Sequence, residues 1–160
     1  KETGRDDRVR PDLVVTEPSV TQAMPRALTV TSLMNALAHP LSAMSTGSLG
    51  EAERGQALHA IADLVAALRT LVAKPRNERA RRRALDGASA AAAVLDAGAL
   101  GTHHKLVHQL GGALRAEHAA LHALLLPHSC AQLLTEDAQV AKAIEEATGC
   151  ADLPGLLFEC

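Results

Sequence analysis

Between two polar turns, one stretch carries apolar side chains at Ala57, Ile61, Leu64, Val65, Leu68 and Leu71, three and four residues apart. That spacing places them on one face of an α-helix and is incompatible with the two-residue alternation of a half-buried strand. Such a stripe must be covered by other elements, and the rest of the chain supplies only small and aliphatic side chains for the purpose. Apolar residues make up 48% of the 160, almost all Ala, Leu and Val, with one Phe and no Trp or Tyr. Helices packed closely through small side chains satisfy this composition better than a sheet sandwich. The expected fold class is all-α, one helical array with a short extended N-terminal segment.

The remaining elements follow from punctuation. VRPDLVVTEPSV is a β-branched run between prolines and reads as extended, so residues 1–30 are assigned to a linker or strand segment and 31–160 to the helical domain. From Thr31 the period becomes helical, with a Thr or Ser cap, Leu33, Leu37 and Leu41 on one face, and Pro40 expected to bend or end the helix. Glu51 and Glu53 suit the positive start of the striped helix, and KPRN ends it. A third helix follows from Glu78, basic in its first half; Arg79 to Arg83 read as a solvated face, with an anion site as the alternative. Its alanine run, Ala88 to Ala93, is expected in the core. Further helices are expected near 103–113, 117–130, 136–148 and 152–158, punctuated by Gly111, Gly112, Pro127, Gly149 and Pro154.

Charge and composition remove several function classes. A formal charge of −2 and the lack of aromatic stacking platforms argue against a nucleic-acid partner. The apolar runs are interrupted by His, Asp or Arg short of the roughly 18 residues of a membrane span, so no membrane association is expected. No apolar region of a secretory signal is visible. Cys130, Cys150 and Cys160, odd in number and without CxxC spacing, fit inert reduced thiols in a cytoplasmic protein.

Histidine is the residue type with chemistry to offer. GTHHKLVHQLGGALRAEH, 101–118, gathers four of them. His104 and His108 share one helix face, as do His118 and His122, and Asn35 and His39 have the same spacing on the first helix. If the three helices pack around one cleft, His39, His104 and His118 would form a nitrogen-rich cation site. The set lacks an anionic ligand, because Asn35 contributes only a neutral amide. Proton transfer or anion recognition by imidazole gains from that lack. Arg115 adds a fixed positive charge beside the histidines, either for a substrate carboxylate or for solvent.

Three blocks in order, NALAH at 35–39, GTHHKLVHQLGG at 101–112 and EHAALHALLLPH at 117–128, resemble the iron-containing alcohol dehydrogenases, most closely their maleylacetate reductase branch. TGRDDRVRPDLVV and TEPSVT resemble the strand entering the helical domain of that family. The resemblance implies that the metal-binding positions of metal-dependent members, an Asp and three His, fall here on Asn35, His39, His104 and His118. It also implies that His108 stands near the reacting carbon as a proton relay. Asn in place of Asp is a feature of the branch, which is regarded as working without a bound metal. Pro40 and Ser42 depart from the branch, which has an alanine and a glutamate there, and GALRAEH lacks the family proline before His118.

The resemblance further implies NADH or NADPH as cofactor of a complete protein. No glycine-rich phosphate loop is found in this sequence, so none is expected to bind this chain alone. The substrate class implied is a small anionic carbonyl compound, an unsaturated keto acid such as maleylacetate. His104, His108 and Lys105 would bind its carboxylates or hand a proton to the forming alkoxide; Asn35, His39, His118 and Arg115 would line its site. KETGRD reads as the middle of a domain, so a cofactor domain upstream of Lys1 or a partner supplying one is expected, and an apolar face without its partner helices would be a homodimer surface. The alternative is a shortened relative without redox chemistry, a binding module or a cofactor-free isomerase or cyclase using the histidine cleft.

Overall fold

The computed structural model describes residues 8, 11–97 and 101–160, and among them it contains eight helices and no strand. They are α1 (Pro18–Thr21), α2 (Arg26–Met44), α3 (Glu51–Ala73), α4 (Glu78–Ala97), α5 (Thr102–Leu114), α6 (His118–Glu136), α7 (Ala138–Thr148) and α8 (Leu153–Glu159). The all-α expectation holds. Residues 11–17 have no regular structure, and the expected extended run is cut short because Glu17 accepts the Ser19 N–H at 3.0 Å and starts the single turn of α1.

The striped segment is the hub. Its stripe, Ala57 to Leu71, is buried along α3, which packs against α2, α4 and α7. By length and hydropathy α3 would pass for a membrane span, but its apolar side is spent on neighbouring helices. Asp63 on the other side pairs with Arg83 of α4 at 2.6 Å. α4 reaches α3 closely at Gly87, where an added Cβ would stand 3.0 Å from Leu64 Cγ.

Four local expectations are corrected. α2 begins at Arg26, not Thr31, since Pro25 sets the entry and Thr31 turns its hydroxyl back onto the Ala27 carbonyl at 3.1 Å inside the helix. Pro40 does not end α2, and Pro127 does not punctuate α6; both lie buried inside their helices, where flanking helices hold the backbone. The alanine run is only partly core: Ala91 is buried, Ala88 and Ala90 half-buried, and Ala92 and Ala93 exposed, because a helix cannot bury successive residues on one face.

The arginine run is the fourth. Arg81 is buried and donates to the Pro75 carbonyl at 2.8 Å and to Thr29 Oγ1 at 3.3 Å. Arg82 donates to the Thr16 carbonyl at 2.9 Å. With Arg83 on Asp63, these side chains fasten α4 to α2, to the N-terminal segment and to α3; Arg79, Arg82 and Arg83 are exposed as the solvated-face reading has it, and buried Arg81 departs from it.

Shorter helices are fixed by their ends. Asp137 accepts the N–H groups of Gln139 and Val140, both at 3.0 Å, to start α7, and Gly149 closes it in the left-handed region at φ 61°. Asp152 starts α8 by accepting the Gly155 N–H at 2.8 Å. Cys130 and Cys150 are buried free thiols, and burial pushes Cys130 up to about 12, which keeps it an unreactive thiol.

Candidate functional site

α2, α5 and α6 meet where their histidines lie. α5 is seated on α2 through Gly101, whose N–H donates to Ser42 Oγ at 3.0 Å; a Cβ on Gly101 would stand 2.6 Å from that oxygen. This close approach sets the start of α5 and with it the positions of His103 and His104. The α5 and α6 faces then bring imidazoles together across the helix junction.

The geometry is a continuous cluster. His39 stacks on His104 with ring centroids 4.6 Å apart, and His104 lies 5.0 Å from His122. His118 is 4.6 Å from His122 and 5.5 Å from His108. His122 Nε2 is 3.1 Å from His118 Nε2, His122 Nδ1 is 2.9 Å from His103 Nε2, and His103 Nδ1 is 2.6 Å from Ser129 Oγ. The Ser129 hydroxyl donates to the Leu125 carbonyl at 2.8 Å. Beside this chain of hydrogen bonds stand four buried polar atoms with no partner: Asn35 Oδ1, His39 Nδ1, and both ring nitrogens of His104.

Burial and mutual repulsion keep the rings neutral. Burial, with the neighbouring His39, holds His103 down to about 4. Burial, then the charge of His39 and other neighbouring imidazoles, holds His104 down to about 3. His122 is fully buried and is held to about 3 by burial and by His103 and His104, and His39 is lowered by burial and by His118. Among the described residues no carboxylate pairs with His39, His103, His104 or His122, so these four rings rest as uncharged donors and acceptors.

The expected residues separate into two groups. His39, His104 and His118 come together through ring contacts with one another and with His122, His108 joins them through His118, and Asn35 lies one turn before His39 on α2 with its Oδ1 buried. Lys105 and Arg115 are exposed, with no hydrogen bond or ion pair to a described residue. Arg115 terminates α5 in the left-handed region, φ 51° and ψ 31°. Sequence reasoning paired His122 with His118 but did not place it in the site, and it passed over His103 and Ser129. Spacing by four follows one face of one helix, whereas His103 sits about a quarter-turn from His104 and is reached only across the α5–α6 contact. The trace that the sequence carries is the first histidine of HH, His103, which faces Ser129 and His122 one helix away.

A cation does not fit this arrangement. His39 and His104 meet face to face with 24° between their planes, and His118 Nε2 is engaged with His122. Among the described residues no three His, Cys, Asp or Glu side chains gather as a ligand set. The donors also carry no negative charge to offset a dication. No step is therefore derived through a metal. Nor is there a phosphate cradle at Gly111 and Gly112, which lie within the last turns of α5.

Residues 29–153 match the C-terminal part of the Fe-containing alcohol dehydrogenase family. This chain belongs to that family. Maleylacetate reductase 1 of Cupriavidus pinatubonensis is 38% identical over 99% of the chain and 45% of its own length, and maleylacetate reductase of Burkholderia cepacia is 39% identical over the same shares. Among solved structures, a putative alcohol dehydrogenase from Ralstonia eutropha aligns with TM-score 0.89 at 33% identity, and maleylacetate reductase from Rhizobium sp. with TM-score 0.88 at 28%. Each alignment covers 99% of this chain and 45% of the solved one. The chain thus spans slightly under half the length of the relatives it matches, and its helices are those of the family's C-terminal helical part.

Proposed function

We propose that this chain forms the substrate side of the cleft of an NAD(P)H-dependent reductase acting on a small unsaturated keto acid such as maleylacetate. The observation that carries the reading is the neutral imidazole cluster gathered from three helices, in a chain whose relatives at 38–39% identity are maleylacetate reductases. The cofactor, held by the part of the protein that the relatives have beyond this alignment, supplies the hydride when bound. This chain's residues have the complementary task of holding the substrate and moving one proton.

The roles divide by charge state. His104, held neutral, can bind a substrate oxygen, carboxylate or carbonyl, through its one N–H. Its other nitrogen can accept from a substrate hydroxyl, and Asn35 Oδ1 and His39 Nδ1 are further buried groups without a partner among the described residues. The carboxylates fall to Lys105 and Arg115, whose charges are exposed and unpaired. His108 gives the proton that follows hydride delivery, a role supported by its exposure and its ring contact with His118.

The test is a steady-state assay of the full-length protein with NADH and NADPH against maleylacetate and against simple aldehydes. Oxidation of either nucleotide dependent on the keto acid is expected, and His108→Ala should lower kcat by about 100-fold or more if it is the proton donor. Turnover of aldehydes but not the keto acid would overturn the substrate class. An unchanged kcat in His108→Ala would remove that residue from the proton transfer.

A further inference from the structure

The starts of α2 and α4 meet around an open groove of about 670 Å³, lined among others by Gln22 and Arg26 at the first of these and by Lys74, Pro75, Arg76 and Asn77 between α3 and α4. Its lining holds three cations and no carboxylate. Arg26, Lys74 and Arg76 are exposed and make no ion pair with a described residue. Glu78, the nearest acid in sequence, is exposed in the first turn of α4 and lies outside the lining. α2 opens on Pro25 without a side-chain cap and has no acid in its first turn. The Thr29 N–H is held by the Pro25 carbonyl at 2.9 Å, which leaves the amides of Arg26, Ala27 and Leu28 uncapped at the positive end of a 19-residue helix. Asn77 starts α4 by accepting the Ala80 N–H on its Oδ1 at 2.9 Å, so its amide nitrogen remains a donor without a partner among the described residues.

Beside this groove a fourth cation is held without a counter-charge. Arg81 is 2% exposed, and both its acceptors are neutral, the Pro75 carbonyl for Nε and Thr29 Oγ1 for Nη2. Its Nη1 has no partner among the described residues. A buried charge is costly unless an opposite charge stands near it, and Pro75, the residue that Arg81 grips, is itself part of the groove wall. We infer that the groove is a binding site for a compact phosphate anion carrying two or more charges, of the pyrophosphate type. Guanidinium forks, an ammonium group and uncapped helix amides are the donors that phosphate oxygens accept from. No aromatic side chain lines the groove to stack a base, so it recognises charge on oxygen and not a nucleoside. Free pyrophosphate and a bisphosphorylated sugar offer the same chemistry. The inference stands apart from the reductase reading, since it uses none of the histidines.

The test is a titration of the 160-residue chain with pyrophosphate at constant ionic strength, followed by amide NMR shifts and by thermal unfolding. Saturable shifts are expected at Arg26, Ala27, Leu28, Glu78 and Arg79, together with a raised Tm. Lys74→Ala and Arg76→Ala, both at exposed positions that the fold does not need, should each weaken binding by about tenfold or more, whereas Lys142→Ala on α7 should leave it unchanged. A bisphosphorylated sugar that binds more tightly than pyrophosphate supports the site and assigns it to an organic phosphate; the reverse order supports it and assigns the free ion. Shifts that do not saturate, that sulfate or chloride reproduce equally, or that persist undiminished in both the Lys74 and Arg76 variants would each overturn the inference. Displacement of pyrophosphate by NADH would overturn the ligand class and hand the groove to a nucleotide. Failure here leaves the reductase assay untouched, and failure of that assay leaves the anion site standing.

Discussion

At the scale of single residues, the site depends on imidazoles that refuse protons. His103, His104 and His122 take up a proton in the unfolded chain near 6.5 but in the folded chain only near 4, 3 and 3. A depressed histidine contributes its stability above the unfolded value and loses it as pH falls toward the folded one. Stability should therefore decline with acidification from about 6.5, by up to about 1.4 kcal/mol per pH unit for each ring. Urea melts at several pH values between about 7 and 5 measure this slope, and His122→Gln should reduce it by close to one proton while lowering stability at neutral pH. An unchanged slope would mean the rings are not buried as neutral groups. The sequence made Asn35, His39, His104, His108 and His118 legible, because their spacing and block order survive without coordinates. It could not reveal His103 and Ser129, since their meeting depends on the crossing of α5 over α6, a property of neither helix alone.

At the scale of elements, two positions set helix contacts that propensity alone would misjudge. Gly87→Ala improves intrinsic helix propensity by about 1 kcal/mol. The new methyl would meet Leu64 Cγ at 3.0 Å and Asp63 Cβ at 3.1 Å, and overpacking of that kind costs about 1–3 kcal/mol. A net loss of about 1 kcal/mol in thermal or urea unfolding is expected; a gain would show that α4 can move off α3 without cost. Arg115 presents the opposite case, a branched-free but Cβ-bearing residue held at φ 51° where glycine is preferred. Arg115→Gly should stabilise the chain by about 1 kcal/mol. If the guanidinium also anchors a substrate carboxylate, the same variant raises KM in the full-length protein, so stability and affinity move in opposite directions. Helix identity was readable from period and caps, as at Asp137 and Asp152. The boundaries at Arg26 and across Pro40 and Pro127 were not, because buried surroundings override what proline does to an isolated helix.

At the scale of the whole molecule, the helical array corresponds to one part of longer relatives. The chain spans 45% of the length of its maleylacetate reductase relatives, and Leu13, Val14, Val15 and Val20 are each more than two-thirds exposed in the N-terminal segment. Calorimetric titration with NADH and NADPH separates the contributions: the full-length protein should bind a nucleotide and the 160-residue chain should not. Binding by this chain would reveal a nucleotide site among the helices that neither its glycines nor its arginines suggest. The array is nevertheless well tied internally, by the α3 stripe and by the arginines of α4.

The two internal prolines bear on how such a cleft behaves in time. Pro40 follows His39 and Pro127 precedes Ser129 by two residues, so each of the two helices lacks one amide rung beside a residue of the cluster. The carbonyls of Ala36 and Ala123 have no intrahelical amide to hold them, and the backbone there has a lower threshold for local opening than the continuous ladder of α3. Native-state hydrogen exchange should find the amides flanking these two gaps exchanging sooner than those of Ile61 to Leu68. The cleft would then breathe on the clock of local opening, admitting and releasing a substrate without waiting for the array to come apart.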